Sequence, residues 1–333
     1  MQSLQHSPTL KRILKPIYGP PRTAIQYFRA RRINRAYDEQ YADARAAYGK
    51  DAQPAHLAVA DLNQVGVRFL NGPESEGLVT LPADWDALVQ RCAGAIADAF
   101  ERTDNVLFLP AVERQGIPDL TRDVPALQRG EVISLQLRNP ANVPGVKEIA
   151  HALVPQVQER VYGSYLIVDK VYAYRNVVSQ QKEQVSWLWH YDNHPTPLLK
   201  LMVYLTDVDA GRAPFEYVRH RDTRRGLVFP PRPLLGNSRV SPERVNEYLR
   251  NGYETHLAVG PAGTAILFDD NVLHRATLAR ERHRDVLVLQ IRPATFRPAR
   301  FVDEAWSGSF QHVDFNEDPR QYAPRPKSKM LSA

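Results

Sequence analysis

The sequence predicts a mainly β fold, a sandwich or barrel, with helices gathered on its N-terminal side. Three observations carry that expectation. From residue 164 to about 292 the chain divides into short segments rich in β-branched and aromatic residues, punctuated by Gly, Pro and Asp. Within them the period is two: Leu199, Leu201, Val203 and Leu205 alternate with Lys200, Met202, Tyr204 and Thr206, giving one buried and one more polar face. Helical spacing is concentrated earlier in the chain.

The N-terminal arm, residues 1–50, is basic and helical in pattern. Residues 1–37 hold eight Lys or Arg and no Asp or Glu, and the rest of the chain carries 35 basic and 37 acidic residues. The formal charge of +6 therefore belongs to the arm, and the body is not a nucleic-acid-binding surface. Leu10, Ile13, Leu14 and Ile17 recur at helical spacing among Lys11, Arg12 and Lys15. After Gly19-Pro20-Pro21, Thr23 can cap a second helix running through Ile25, Phe28 and Ile33 towards Ala47. Such a segment suits packing on the body with a solvated basic face, docking on an anionic membrane or substrate, or a transit peptide.

Residues 51–163 read as a mixed subdomain packed on the barrel. Asp84 is placed to cap a helix whose stripe is Val89, Cys92, Ile96 and Phe100. Cys92, the only cysteine, sits in that stripe, where a core role outweighs a nucleophilic one. A lone cysteine excludes an internal disulfide and a thiolate metal cluster, and it suits a reducing cytoplasm. Residues 132–137 alternate as a strand, and a helix is expected from about 145 to 161, broken or restarted at Pro155.

Residues 164–300 form the β core, with strands expected at 165–177, 185–190, 199–207, 214–219, 253–259, 263–269 and 285–292. A short helix follows Ser241-Pro242, and the tail from 301 to 333 is polar and Pro-punctuated. No apolar run approaches the roughly 18 residues of a membrane-spanning helix, and no secretory signal is apparent.

The chemistry concentrates in two places. Trp187-Leu188-Trp189-His190-Tyr191-Asp192 ends in His-x-Asp, and on an extended backbone residues i and i+2 project to one side. One imidazole and one carboxylate can then reach a single ion. A second imidazole would complete a 2-His-1-carboxylate facial triad, which leaves positions open for a bidentate co-substrate and O₂. His274 is the candidate, just beyond the strand and loop Gly263–Asp270. Ten residues later Arg284 opens the strand Val286–Ile291, where its guanidinium fork can grip a carboxylate. Arg282 is an alternative anchor.

Residues 164–292 resemble the phytanoyl-CoA dioxygenase-like family of Fe(II)/2-oxoglutarate-dependent oxygenases. The pieces that match are WHYD (189–192), LMVYLTDVDAGRAPFEYV (201–218), GTAILFDDNVLHRA (263–276) and RDVLVLQI (284–291). The resemblance implies a double-stranded β-helix (jelly-roll) core. It implies iron on His190, Asp192 and His274, 2-oxoglutarate on Arg284 with Tyr204 lining its site, O₂ as co-substrate, and ascorbate as reductant in vitro. Tyr174 lies on the strand before the His-x-Asp. Val218-Arg219-His220-Arg221 departs from the family's usual turn, and Ala276 replaces a hydroxylated residue whose hydrogen bond Thr277 could supply. With Asp192 in place, hydroxylation is favoured over halogenation.

Other readings stand beside this one. His190 and His194 are four apart, the spacing of a zinc pair on a helix, which Trp187, Trp189 and Pro195 oppose. Asp269-Asp270 suits a strand-end network or a proton shuttle, and His220, His256 and His283 read as surface or loop residues. A turnover-dead jelly-roll binding protein and a cupin-like enzyme independent of 2-oxoglutarate are the rival classes. The substrate expected is a small or lipid-linked anionic molecule, met in the cytoplasm or at the inner face of a membrane through residues 1–37.

Overall fold

The computed structural model describes residues 28, 31–49, 66–72, 74, 75, 77–102, 106–110, 132–179, 187–230, 238–304, 306 and 307. Most of the basic arm and all but the start of the tail lie outside them. Among these residues the strands are, in chain order, β1 (Val67–Phe69), β2 (Val106–Pro110), β3 (Val132–Leu137), β4 (Tyr165–Asn176), β5 (Leu199–Tyr204), β6 (Phe215–His220), β7 (Tyr253–Ala258), β8 (Ala265–Asp269), β9 (His274–Ala276) and β10 (Arg284–Ala294).

A seven-stranded antiparallel sheet has the order β1-β8-β5-β10-β4-β3-β2, and a three-stranded one the order β7-β6-β9. His190 pairs with His274 beyond β9, so its segment extends the small sheet by one position. The inner faces of the two sheets meet in one apolar cluster. Met202, Ile266, Phe268, Val286 and Val288 of the large sheet pack with Phe215, Tyr217 and Ala258 of the small one. Two sheets closed face to face by connections that alternate between them make a jelly roll, as the sequence leads one to expect.

The outer face of the large sheet is covered as well. Leu199, Leu201, Val203, Leu267, Leu287 and Leu289 pack against Val89, Cys92 and Ile96 of the helix Trp85–Glu101 and Ile149 and Leu153 of the helix Val146–Val157. This is why β10 is buried along its whole length. It also corrects the two-faced reading of 199–206. The second face, Lys200, Met202 and Tyr204, lines the barrel interior, and only one of its members is charged.

Several local expectations are revised. Asp84 stands at the N-cap of its helix but makes no side-chain cap hydrogen bond. The helix from Val146 runs through Pro155 and loosens only afterwards, into a single π turn over Gln158–Tyr162. No regular strand occupies 187–190. Ser241 does cap the helix Pro242–Arg250, accepting from the Arg244 N–H at 3.3 Å. Cys92 is fully buried, and burial pushes its thiol up to about 12, as suits a core residue. The helix over 31–48 buries Ile33, Ala36, Tyr37 and Ala44 and leaves Arg31, Arg32 and Arg35 exposed. Tyr41 ties it down by donating to the Tyr162 carbonyl at 2.9 Å. Among the described residues, no helix is long and apolar enough to cross a membrane.

Candidate metal centre

The site forms where the small sheet loses its regularity. His190 and His274 exchange backbone hydrogen bonds of 2.9 Å in both directions, which sets their rings side by side, 4.4 Å between centroids and tilted by 52°. Two residues on, the Asp192 N–H donates to the Asp270 carbonyl at 2.8 Å. Asn193 then takes φ +58°, a left-handed conformation that Asn tolerates better than most residues, and the chain turns back. His190 Nε2 lies 3.6 Å from Asp192 Oδ1. One ligand atom from each of His190, Asp192 and His274 lies within 4.8 Å of the others.

The imidazoles are oriented for ligation. Nδ1 of His190 sits 2.7 Å from the Leu188 carbonyl, and Nδ1 of His274 sits 2.8 Å from the Val272 carbonyl. An Nδ1–H donated to a carbonyl leaves the Nε2 lone pair for a metal. Burial, with His190 adjacent, lowers the His274 pKa to about 3, so the ring is neutral through the working range. Burial alone would raise the Asp192 carboxyl, but Lys200, His274 and His190 more than reverse this and hold it well below the usual carboxylate range. Two imidazoles and one carboxylate of this geometry fit a divalent first-row ion.

Arg284 lies deeper in the barrel. Val286, two residues along β10, pairs with Tyr204 of β5 and Tyr174 of β4, so Arg284 shares their inward face. Its guanidinium carbon sits 5.8 Å from the Tyr204 ring centroid and 6.0 Å from that of Tyr174. It is 1% exposed, and its Nε and Nη1 have no hydrogen-bond partner. Arg282 is exposed. Tyr204 donates to the Ala258 carbonyl at 2.7 Å, and its hydroxyl also faces the Arg284 side chain. The Thr277 hydroxyl is committed to the Pro214 carbonyl at 3.0 Å.

No protein-family model matches the sequence, and no curated protein does either. Solved structures do resemble it at low identity. EctD from S. alaskensis with bound Fe is 17% identical, with a TM-score of 0.45 over 78% of this chain and 92% of that one. HygX from Streptomyces hygroscopicus with nickel, 2-oxoglutarate and hygromycin B bound is 15% identical, with a TM-score of 0.41 over 72% and 87%. SnoK, a non-heme alpha-ketoglutarate-dependent carbocyclase from nogalamycin biosynthesis, is 15% identical, with a TM-score of 0.43 over 74% and 85%.

A further set of polar side chains surrounds the triad. Lys200 donates to Asp192 Oδ2 and lies 3.6 Å from Asp270 Oδ1. The other oxygen of Asp270 contacts His194 Nδ1. His194 in turn exchanges hydrogen bonds of 3.0 and 2.9 Å with the Asn271 side chain. Asp270 thus belongs to a strand-end network. His194, 1% exposed, lies in an irregular segment and shares no helix face with His190. The sequence marks the Asp269-Asp270 pair for such a network but does not join it to His194 or Lys200. His220 and His256 are engaged on the outer strands by Tyr253 and Glu74, and His283 is exposed.

The low His274 pKa has a stability consequence for the metal-free protein. The unfolded imidazole takes a proton below about pH 6.5, whereas the folded one resists until about 3. Stability from this group is therefore present above 6.5 and lost as the pH falls towards 3, at up to about 1.4 kcal/mol per pH unit. His274→Gln removes this dependence, so the variant should gain on the wild type between pH 6.5 and 4. Parallel denaturant melts across that range check the divergence, and parallel curves would contradict it.

Proposed function

We propose that the chain is an Fe(II)/2-oxoglutarate-dependent oxygenase. The observation that carries this reading is the buried Arg284 guanidinium, two of whose nitrogens lack hydrogen-bond partners in the barrel that holds the 2-His-1-carboxylate set. A desolvated cation without an anion is costly, and a dicarboxylate's far end would satisfy it through bidentate, charge-assisted hydrogen bonds. A cupin-like enzyme independent of 2-oxoglutarate has no use for that group.

His190 and His274 would hold iron through Nε2, and Asp192 through one carboxylate oxygen. Bound there, Fe(II) with 2-oxoglutarate and O₂ supplies oxidative decarboxylation to succinate and CO₂, coupled to oxidation of a substrate C–H bond. The protein's part is orientation and shielding. The Leu188 and Val272 carbonyls fix the imidazoles, Arg284, flanked by Tyr204 and Tyr174, would anchor the co-substrate, and Phe215, Phe268 and Val286 keep the interior dry. Because Asp192 fills a coordination position, hydroxylation is the favoured outcome. The acid-free residues 1–37 fit a small or lipid-linked anionic substrate presented near the inner face of a membrane.

Purified protein given Fe(II), ascorbate, O₂ and 2-oxoglutarate without substrate should release succinate slowly. Under anaerobic conditions it should develop the iron–oxoglutarate charge-transfer band. Absence of both would overturn the oxygenase reading and favour a binding protein.

A further inference from the structure

The side chains around Asp192 form two overlapping groups able to hold a cation. One is His190, Asp192 and His274. The other is Asp192, His194 and Asp270, whose ligand atoms also lie within 4.8 Å of one another. Asp192 belongs to both, with Oδ1 towards His190 and Oδ2 towards the second group. A carboxylate shared in this way is the usual bridge of a two-metal centre, where the ions sit roughly 3.5–4 Å apart.

The second position is already taken from within the chain. Lys200 reaches in from β5, where its backbone is held in register with Gln290 of β10 and Phe268 of β8. Its ammonium contacts Asp192 Oδ2 and lies 3.6 Å from Asp270 Oδ1, the oxygen that His194 does not engage. Asp270 is fully buried, and the side chains of Asp192 and Lys200 are only 20% and 15% exposed. Two carboxylates this close and this dry need a cation between them.

We propose that Lys200 is a built-in cation, a positioning residue whose ammonium fills the second metal position and keeps the centre mononuclear. It holds Asp192 Oδ2 and so restricts this carboxylate to offering one oxygen to the ion at His190 and His274. The coordination positions a bidentate co-substrate and O₂ need then stay open. The inference rests on the metal-centre reading above.

The test is metal stoichiometry, which needs no substrate. Mn(II) alone is titrated into metal-free full-length chain, and free Mn(II) is followed by its EPR signal. Wild type and Lys200→Arg should bind one ion. Lys200→Met, which keeps the length and loses the charge, should bind two, with the broadened signal of a coupled pair. Adding Asp270→Asn to it should return the count to one. A folded Lys200→Met that binds one ion or none overturns the proposal, as does a wild type that binds two. If Lys200→Met loses its native circular-dichroism spectrum without metal, Mn(II) should restore it with a two-ion dependence, and failure to do so also counts against the idea. A wild type that binds no ion removes the metal-centre reading itself, an outcome distinct from these.

Discussion

Replacing Asp192 by Asn should lower the affinity for Fe(II) by three orders of magnitude or more while the chain stays folded. The amide keeps the shape of the side chain and still offers an oxygen, so the loss reports charge. Two unit charges 4 Å apart interact by about 4 kcal/mol at an effective dielectric of 20, and a divalent ion in contact with its ligand loses more. The variant also leaves Lys200 facing the metal position with only Asp270, at 3.6 Å, as a carboxylate partner. An ammonium that once screened a carboxylate then repels the incoming ion. The fold is held elsewhere, by the apolar layers on both faces of the large sheet. Anaerobic isothermal titration with Fe(II), beside circular dichroism of the same samples, measures both quantities. Affinity within tenfold of the wild type would mean that the ion sits somewhere other than His190, Asp192 and His274.

The barrel and the arrangement of its centre were legible because each depends on residue type at a fixed spacing. Period-two alternation marks β5 and β10, and His-x-Asp with a later histidine marks a place where chemistry allows few other side chains. The segment before His190 was not legible. Trp187 and Trp189 have strand propensity, yet both are buried in different surroundings and the backbone between them is irregular. Tertiary packing overrides propensity there. The strand β1, three residues long, offers too few alternations to establish a period. Lys200 was visible as a charge in an apolar strand. Its partners were not, because Asp270 lies 70 residues away and meets it only through the pairing of β5 with β8. Arg284 and Arg282 are two apart and equivalent by spacing. Only the end of β10 separates them, with Arg284 inside and Arg282 outside.

That burial makes Arg284 the position where stability and function should move in opposite directions. Arg284→Met is expected to weaken 2-oxoglutarate binding by roughly 10²–10⁴-fold, the worth of two charge-assisted hydrogen bonds at about 1.5–3 kcal/mol each. The same change should stabilise the ligand-free protein. In the wild type, Nε and Nη1 are buried without partners, at about 1–3 kcal/mol for each group left unsatisfied. A thioether of similar length packs against Tyr174, Tyr204 and Val286 with no such cost. The melting temperature without ligand should therefore rise by a few degrees, whereas added 2-oxoglutarate, which stabilises the wild type by binding only the folded state, should leave the variant's unchanged. An ordinary structural arginine behaves differently, since its loss lowers the melting temperature and leaves co-substrate affinity alone. Differential scanning fluorimetry with and without 2-oxoglutarate, in the presence of Mn(II), separates the two cases. A variant that melts lower and binds 2-oxoglutarate as the wild type does would make Arg284 part of the scaffold, and the proposed oxygenase would lose its anchor.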